Sequence, residues 1–171
     1  MGVVPYLHKK RIPLISGNVN ITVRKATQDD LDKIKALADA HRQELGFVRR
    51  PALLEAIIRK EIIVAQNSEH LAGLVHYRHR QDTQTTLYDI VVAPNYRRLG
   101  IGKALIETLI AEARTLGKQM IVLKCPEELP ANNFYAHLDF ERLREEPGKH
   151  RKLIVWQFSL PSDHIDTPCA L

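Results

Sequence analysis

Directly after the apolar run Ile90-Val91-Val92-Ala93-Pro94, the chain reads Asn95-Tyr96-Arg97-Arg98-Leu99-Gly100-Ile101-Gly102-Lys103-Ala104-Leu105 and passes into helical spacing. A strand, a tight basic turn and a helix N-terminus make a site for anions. The first turn of a helix leaves backbone N–H groups without an internal partner, its dipole adds partial positive charge, and glycine lets a phosphate approach without a Cβ in the way. Arg97, Arg98 and Lys103 add full charges, and the ligand so described is a pyrophosphate. Gly100-Ile101-Gly102 alone is a weak signal, so two other phosphate motifs must be excluded. A dinucleotide fingerprint wants a third glycine where this chain has Leu105. A Walker loop wants glycine where it has Arg97 and a hydroxyl residue where it has Ala104.

The elements that must hold this turn follow from periodicity. Ile21 to Ala26 alternates as a strand, and Thr27 then caps a helix with Asp30 three residues on. In that helix Leu31, Ile34, Leu37, Ala38 and His41 share one face. Arg50-Pro51 opens a second helix carrying Leu53, Leu54, Ile57 and Ile58. Glu61 to Gln66, Leu71 to Arg78 and Thr85 to Ala93 read as an antiparallel meander. Gly102 to Leu116 is a helix with Leu105, Leu109 and Ala113 inward and Glu107, Glu112 and Arg114 outward, ended by Gly117. Met120 to Cys125 is an apolar strand, Asn133 to Leu138 a short helix, and Phe140 to Arg144 with Lys152 to Leu160 a closing hairpin. The order β-α-α-β-β-β-α-β-α-β-β specifies an α/β fold, a mixed sheet with helices on both faces.

With these elements in place, Arg97, Gly100 and Gly102 match the cofactor signature of the Gcn5-related N-acetyltransferase (GNAT) family: Gln or Arg, two residues, Gly, one residue, Gly or Ala. The chain resembles that family in element order from about Ile21 to Leu160. Asn132-Asn133-Phe134-Tyr135-Ala136-His137-Leu138-Asp139-Phe140 is similar to a second family hallmark, with Asp139 where glycine is usual. The resemblance implies a mostly antiparallel sheet whose one parallel pair, the strand before the motif and the strand at 120 to 125, splays around acetyl-CoA. Residues Ile90, Val91 and Val92 would offer backbone groups to the pantetheine arm. Arg97, Arg98, Leu99, Gly100, Ile101, Gly102 and Lys103 would hold the pyrophosphate. Asn132 is expected either to touch the cofactor or to cap its helix, and Tyr135 to protonate the departing thiolate, which a phenol with an ordinary pKa near 10 can do at neutral pH.

The acceptor implied is a primary amine, whose ammonium must first lose a proton. Asp89 is the one acid within the strand at 85 to 93, but alternation sets it opposite Ile90 and Val92 unless a bulge intervenes. A water relay competes with it as base. His76 and His79 read as structural or exposed, His41 as a boundary histidine, and Glu44, Arg42 and Arg50 as surface. Other readings of the same chain are an acyl-CoA-binding sensor without turnover and an acetyltransferase acting on aminoacyl-tRNA. The aromatic interleaving of RNA-binding modules is absent, so nucleic acid is not the expected partner.

Composition sets the outer bounds. With 171 residues, 44% hydrophobic and 26% charged, the chain has the size and mixture of one globular domain. We expect an N-terminal extension over 1–20, the acetyltransferase domain over 21–160 and a tail over 161–171. The extension is long enough to cross to a second copy in a homodimer. The net charge of +5 suits a polyphosphorylated cofactor. Cys125 and Cys169 have neither disulfide nor metal spacing, and no signal or membrane segment is present, which points to the cytoplasm and to no metal.

Overall fold

The computed structural model describes residues 10–12, 20–68 and 70–161. The alternating run Ile21–Lys25 turns Ile21 and Val23 into the core and leaves Thr22 and Arg24 partly exposed, which makes it a strand, β2. The chain then turns at Thr27, whose backbone N–H donates to Asp30 Oδ2 at 2.8 Å, the expected capping contact. Helix α1 (Leu31–Ala40) follows, then one turn, α2 (Arg42–Leu45), and α3 (Arg50–Ile58), with Pro51 in its first turn where no N–H is needed. Strands β3 (Ile62–Asn67), β4 (His70–His79) and β5 (Gln84–Val92) form the meander. Beyond the basic turn come α4 (Ile101–Thr115), β6 (Met120–Pro126), α5 (Ala131–His137), β7 (Glu141–Pro147) and β8 (Lys152–Ser159).

One further strand, β1 (Lys10–Ile12), pairs antiparallel with β2 inside the segment expected to be an extension. The rest of that segment, and the tail with Cys169, lie outside the described residues. The sheet runs β1-β2-β3-β4-β5-β6-β8-β7 and is antiparallel except for β5 with β6. This is the mixed sheet that the element order specifies.

Helices α1 and α3 cover one face, over Ile62, Val64, Leu74 and Val91. Helix α4 covers the other, with Leu105, Leu109 and Ala113 fully buried against Val75, Tyr77 and Leu87. Gly117 ends α4 at φ +66, and the N–H groups of Gly117 and Lys118 reach back to the carbonyls of Arg114 and Ala113, closing off the last turn.

Two side chains depart from the helical reading. Ile58 is 60% exposed at the frayed end of α3. Glu112 is not outward: its carboxylate accepts from Lys25 Nζ at 2.6 Å, Tyr77 Oη at 2.8 Å and His79 Nε2 at 3.1 Å. The position follows Leu105 by a heptad, so it borders the core-facing stripe, and partners from β2 and β4 make the burial tolerable. Burial pushes the Glu112 pKa up, but the hydrogen bonds from His79 and Lys25 outweigh it and leave the carboxyl below its ordinary 4.5.

Candidate functional site

Strands β5 and β6 pair only where Gln84–Thr86 faces Met120–Val122. Past that point β5 runs on against β4 to Val92, and β6 runs on against β8 to Pro126. The sheet therefore forks, and among the described residues the backbone groups of β5 that face away from β4 have no strand partner from Leu87 onward. Ile90, Val91 and Val92 lie on this free edge. Ile90 and Val92 pack toward α4 while Val91 packs toward α1 and α3.

The basic turn closes the mouth of the fork. Arg98 and Gly100 have φ of +60 and +79 on either side of Leu99, and a succession of opposite-handed residues gathers N–H groups into a concavity. Among the described residues, the N–H groups from Arg98 to Lys103 donate to no protein acceptor. A Cβ at Gly100 would meet nothing within 4 Å, so the space there is open. The guanidinium of Arg98 is exposed, and Lys103 Nζ lies 3.9 Å from Glu107 across a solvated helix face. Open backbone donors with two cations beside them fit a pyrophosphate.

Gly102 has a different reason. A Cβ there would stand 3.0 Å from the Phe134 ring, so this glycine lets the start of α4 pack directly on α5. Ile101 is buried beneath the turn and anchors it.

Arg97 is occupied. Its Nε donates to Val92 O at 3.0 Å, and its Nη2 lies 3.6 Å from Glu44 Oε1. Glu44 in turn is 3.8 Å from His41 Nδ1, so the α1–α2 corner is tied to the turn. Sequence reasoning set Glu44 aside as surface. Only the folded register shows that α2 reaches the basic turn.

On the other side of the fork, Tyr135 on α5 is 5% exposed, with its ring 5.7 Å from Phe140 and 6.4 Å from Trp156. Among the described residues its hydroxyl has no hydrogen-bond partner. Burial, then the nearby Cys125 and Asp89, raise its pKa well above the ordinary 10. Asp139 takes φ +61 after α5, the left-handed position that its place in the motif requires. His137 is exposed.

Asn132 neither caps α5 nor stands free for a cofactor. Its Nδ2 donates to the carbonyls of Pro126, Leu129 and Glu127 at 2.8, 2.9 and 3.1 Å, and its Oδ1 accepts from Trp156 Nε1 at 2.9 Å. With donors and acceptor engaged, it acts as a clamp that joins the 126–129 loop to β8 beneath Tyr135.

Asp89 sits at a bulge. Its partner on β4 is His76, while Leu87 already pairs with Tyr77, so Tyr88 is an extra residue in the ladder. As a result Tyr88 and Asp89 both meet the same imidazole. The Tyr88 ring lies 5.1 Å from that of His76, and Asp89 Oδ2 lies 3.3 Å from His76 Nδ1. The condition that the sequence left open is met, and the residue it passed over, His76, is the one that Asp89 contacts. Antiparallel pairing of the two strands was readable, but the register that aligns 76 with 89 was not.

Among the described residues no His, Cys, Asp or Glu cluster suits a metal, and no helix is long and apolar enough to cross a membrane.

The comparisons with known proteins agree with this geometry. The chain is 26% identical over 129 residues to an uncharacterized N-acetyltransferase, ycf52, of Gracilaria tenuistipitata var. liui, covering 71% of this chain and 68% of that protein. Its fold matches Ard1 from Thermoplasma volcanium with a TM-score of 0.75 at 16% identity, over 82% of this chain and 98% of the other. It also matches the PaiA N-acetyltransferase of Thermoplasma acidophilum, solved with coenzyme A, with a TM-score of 0.71 at 17% identity, over 82% and 99% of the two chains. A sequence profile described as the acetyltransferase (GNAT) family matches residues 31–140, and with that span the chain belongs to the GNAT acetyltransferase family.

Proposed function

We propose that this protein transfers the acetyl group of acetyl-CoA to the nitrogen of a primary amine. The observation that carries this reading is the fork itself, set between a turn of free N–H donors and the hydroxyl of Tyr135. The complex of the PaiA relative with coenzyme A supports the choice of cofactor. In this reading the N–H groups of 98–103, with Arg98 and Lys103, bind the pyrophosphate. The free edge of β5 from Leu87 to Val92 takes the amide groups of the pantetheine arm as an added strand would. Acetyl-CoA supplies the thioester.

An N–H on that edge polarises the thioester carbonyl, and Tyr135 gives its proton to the departing sulfur. The raised pKa of Tyr135 keeps it protonated throughout the neutral range. Arg97 serves best as a strut between Val92 and Glu44, holding the turn against the end of β5.

The test is a turnover screen with acetyl-CoA over small amines, polyamines, peptides and aminoacyl-tRNA, read by thiol release. Thiol release with at least one amine is expected. Stabilisation of the fold by CoA without release to any amine would favour the sensor.

A further inference from the structure

We infer that His76 is the group that takes the proton from the acceptor ammonium, and that Asp89 is its positioning residue and not the base. The inference rests on the acetyltransferase reading above.

The geometry begins with the bulge. An ordinary ladder would send Tyr88 and Asp89 to opposite faces of the sheet. The extra residue puts both against His76, with Asp89 Oδ2 3.3 Å from Nδ1 and the Tyr88 ring 5.1 Å from the imidazole. A carboxylate can only accept, so the Asp89 contact selects the tautomer with hydrogen on Nδ1. Nε2 is then a lone-pair acceptor, and among the described residues it has no partner.

The side chains of His76 and Asp89 are 23% and 27% exposed, so the pair is reachable yet oriented. It lies where β5 leaves β6, close enough that the Asp89 charge bears on Tyr135.

The face around His76 also accounts for its accessibility. A cavity of about 240 Å³ opens between α3 and strands β4 and β5, with His76 and Tyr88 in its wall. The other charged groups there are engaged with each other: Arg78 with Glu61 at 2.8 Å, and Arg59 with Glu55. Asp89 is the carboxylate left to His76.

The proton count closes. An ammonium proton passes to His76 Nε2 and on to solvent. The neutral nitrogen attacks, the C–N bond forms and the C–S bond breaks. The proton freed from nitrogen replaces the one that Tyr135 gives to sulfur.

The test compares two acceptors of unlike basicity, alanine amide and hydroxylamine, with acetyl-CoA at neutral pH and the uncatalysed rate subtracted. Alanine amide is held largely as an ammonium, whereas hydroxylamine is already neutral. His76→Gln should lower kcat/KM for alanine amide by about tenfold at pH 7, the limit set by the roughly one-tenth of an α-amine of pKa about 8 that is already neutral, and that for hydroxylamine by no more than about twofold.

A second measurement needs no turnover. Nitrogen-15 correlation spectra of the free protein should show neutral His76 with hydrogen on Nδ1, and Asp89→Ala should return the ring to the Nε2–H form. Equal losses with both acceptors, or no loss with either, overturn the assignment, as does an Nε2–H ring in the unmodified protein. Failure of the acetyltransferase reading would show differently: the unmodified protein would release thiol with no amine in the screen above, and the role of His76 would fall with it.

Discussion

Asn132 is the side chain whose replacement tests most directly how α5 is held. Asn132→Ala removes its bonds to the carbonyls of Pro126, Glu127 and Leu129 and strips Trp156 Nε1 of its acceptor. At about 1 kcal/mol for each net hydrogen bond, with more for a buried donor left bare, the loss comes to about 2–4 kcal/mol. For a chain of this length that lowers Tm by roughly 4–16 °C. Asn132→Asp separates the two halves of the clamp. The new carboxylate still accepts from Trp156 but faces the three carbonyl oxygens without a hydrogen to give, at a further cost of about 1–3 kcal/mol at pH 7. Its pKa in the folded protein must then rise above the ordinary value of about 3.9. A group raised in this way stabilises the fold fully below its unfolded pKa and loses that contribution as pH rises through the folded value. The gap between the Asp and Ala variants should therefore be widest at pH 7 and close as pH falls toward about 4. Urea unfolding of the two variants across that range measures it, followed by emission of Trp156, the one tryptophan in the chain. An Asp variant as stable as the Ala variant at pH 7, or a gap that ignores pH, would refute the view that the amide nitrogen holds the loop.

Gly100→Asp should abolish stabilisation of the fold by CoA in a thermal shift assay, because it puts a side chain and a negative charge into the open side of the turn, at a φ that disfavours it as well. Tyr135→Phe keeps the ring contacts and should lower kcat by about 10²- to 10⁴-fold while CoA affinity by calorimetry stays within a few-fold. Since the Glu112 pKa is depressed in the fold, its contribution is present above 4.5 and lost as pH falls through the folded value. Glu112→Gln should lower stability at pH 7 and flatten the acid limb of a plot of unfolding free energy against pH.

What was legible in the sequence was whatever depends on neighbours along the chain. Alternation at Ile21 and Val23, the four-residue spacing of Leu105, Leu109 and Ala113, the cap at Thr27 and the basic turn at 97–103 are local patterns, and each lies in the structure where it was read. What the sequence did not reveal came from contacts that only the fold brings together. Glu112 finds Lys25, Tyr77 and His79 on other elements, so its charge alone could not reveal that it is buried. Asn132 is bound by backbone carbonyls of a loop and by Trp156 on β8. His76 and Asp89 meet because one extra residue shifts the ladder, and a shift of one residue leaves no trace in composition or periodicity. Gly100 and Gly102 look equivalent in the motif, but only the packing of Phe134 shows that they answer different needs.

The fork also bears on solubility. A sheet that divides has four open borders in place of two, and open strand borders invite pairing with other chains. The outermost one, β7, guards itself with Glu141, Arg142, Arg144, Glu145 and Glu146 and ends in Pro147. The inner border of β5 carries the apolar run Ile90-Val91-Val92 with Asp89 as its one charge, and on the proposed reading a lysine or proline there would spoil the seat of the pantetheine arm. Its protection comes from its recessed place between β4 and β6, and from whatever ligand fills the gap. On the proposed reading, the row of backbone groups that receives the cofactor is also, when empty, the border open to pairing with another chain.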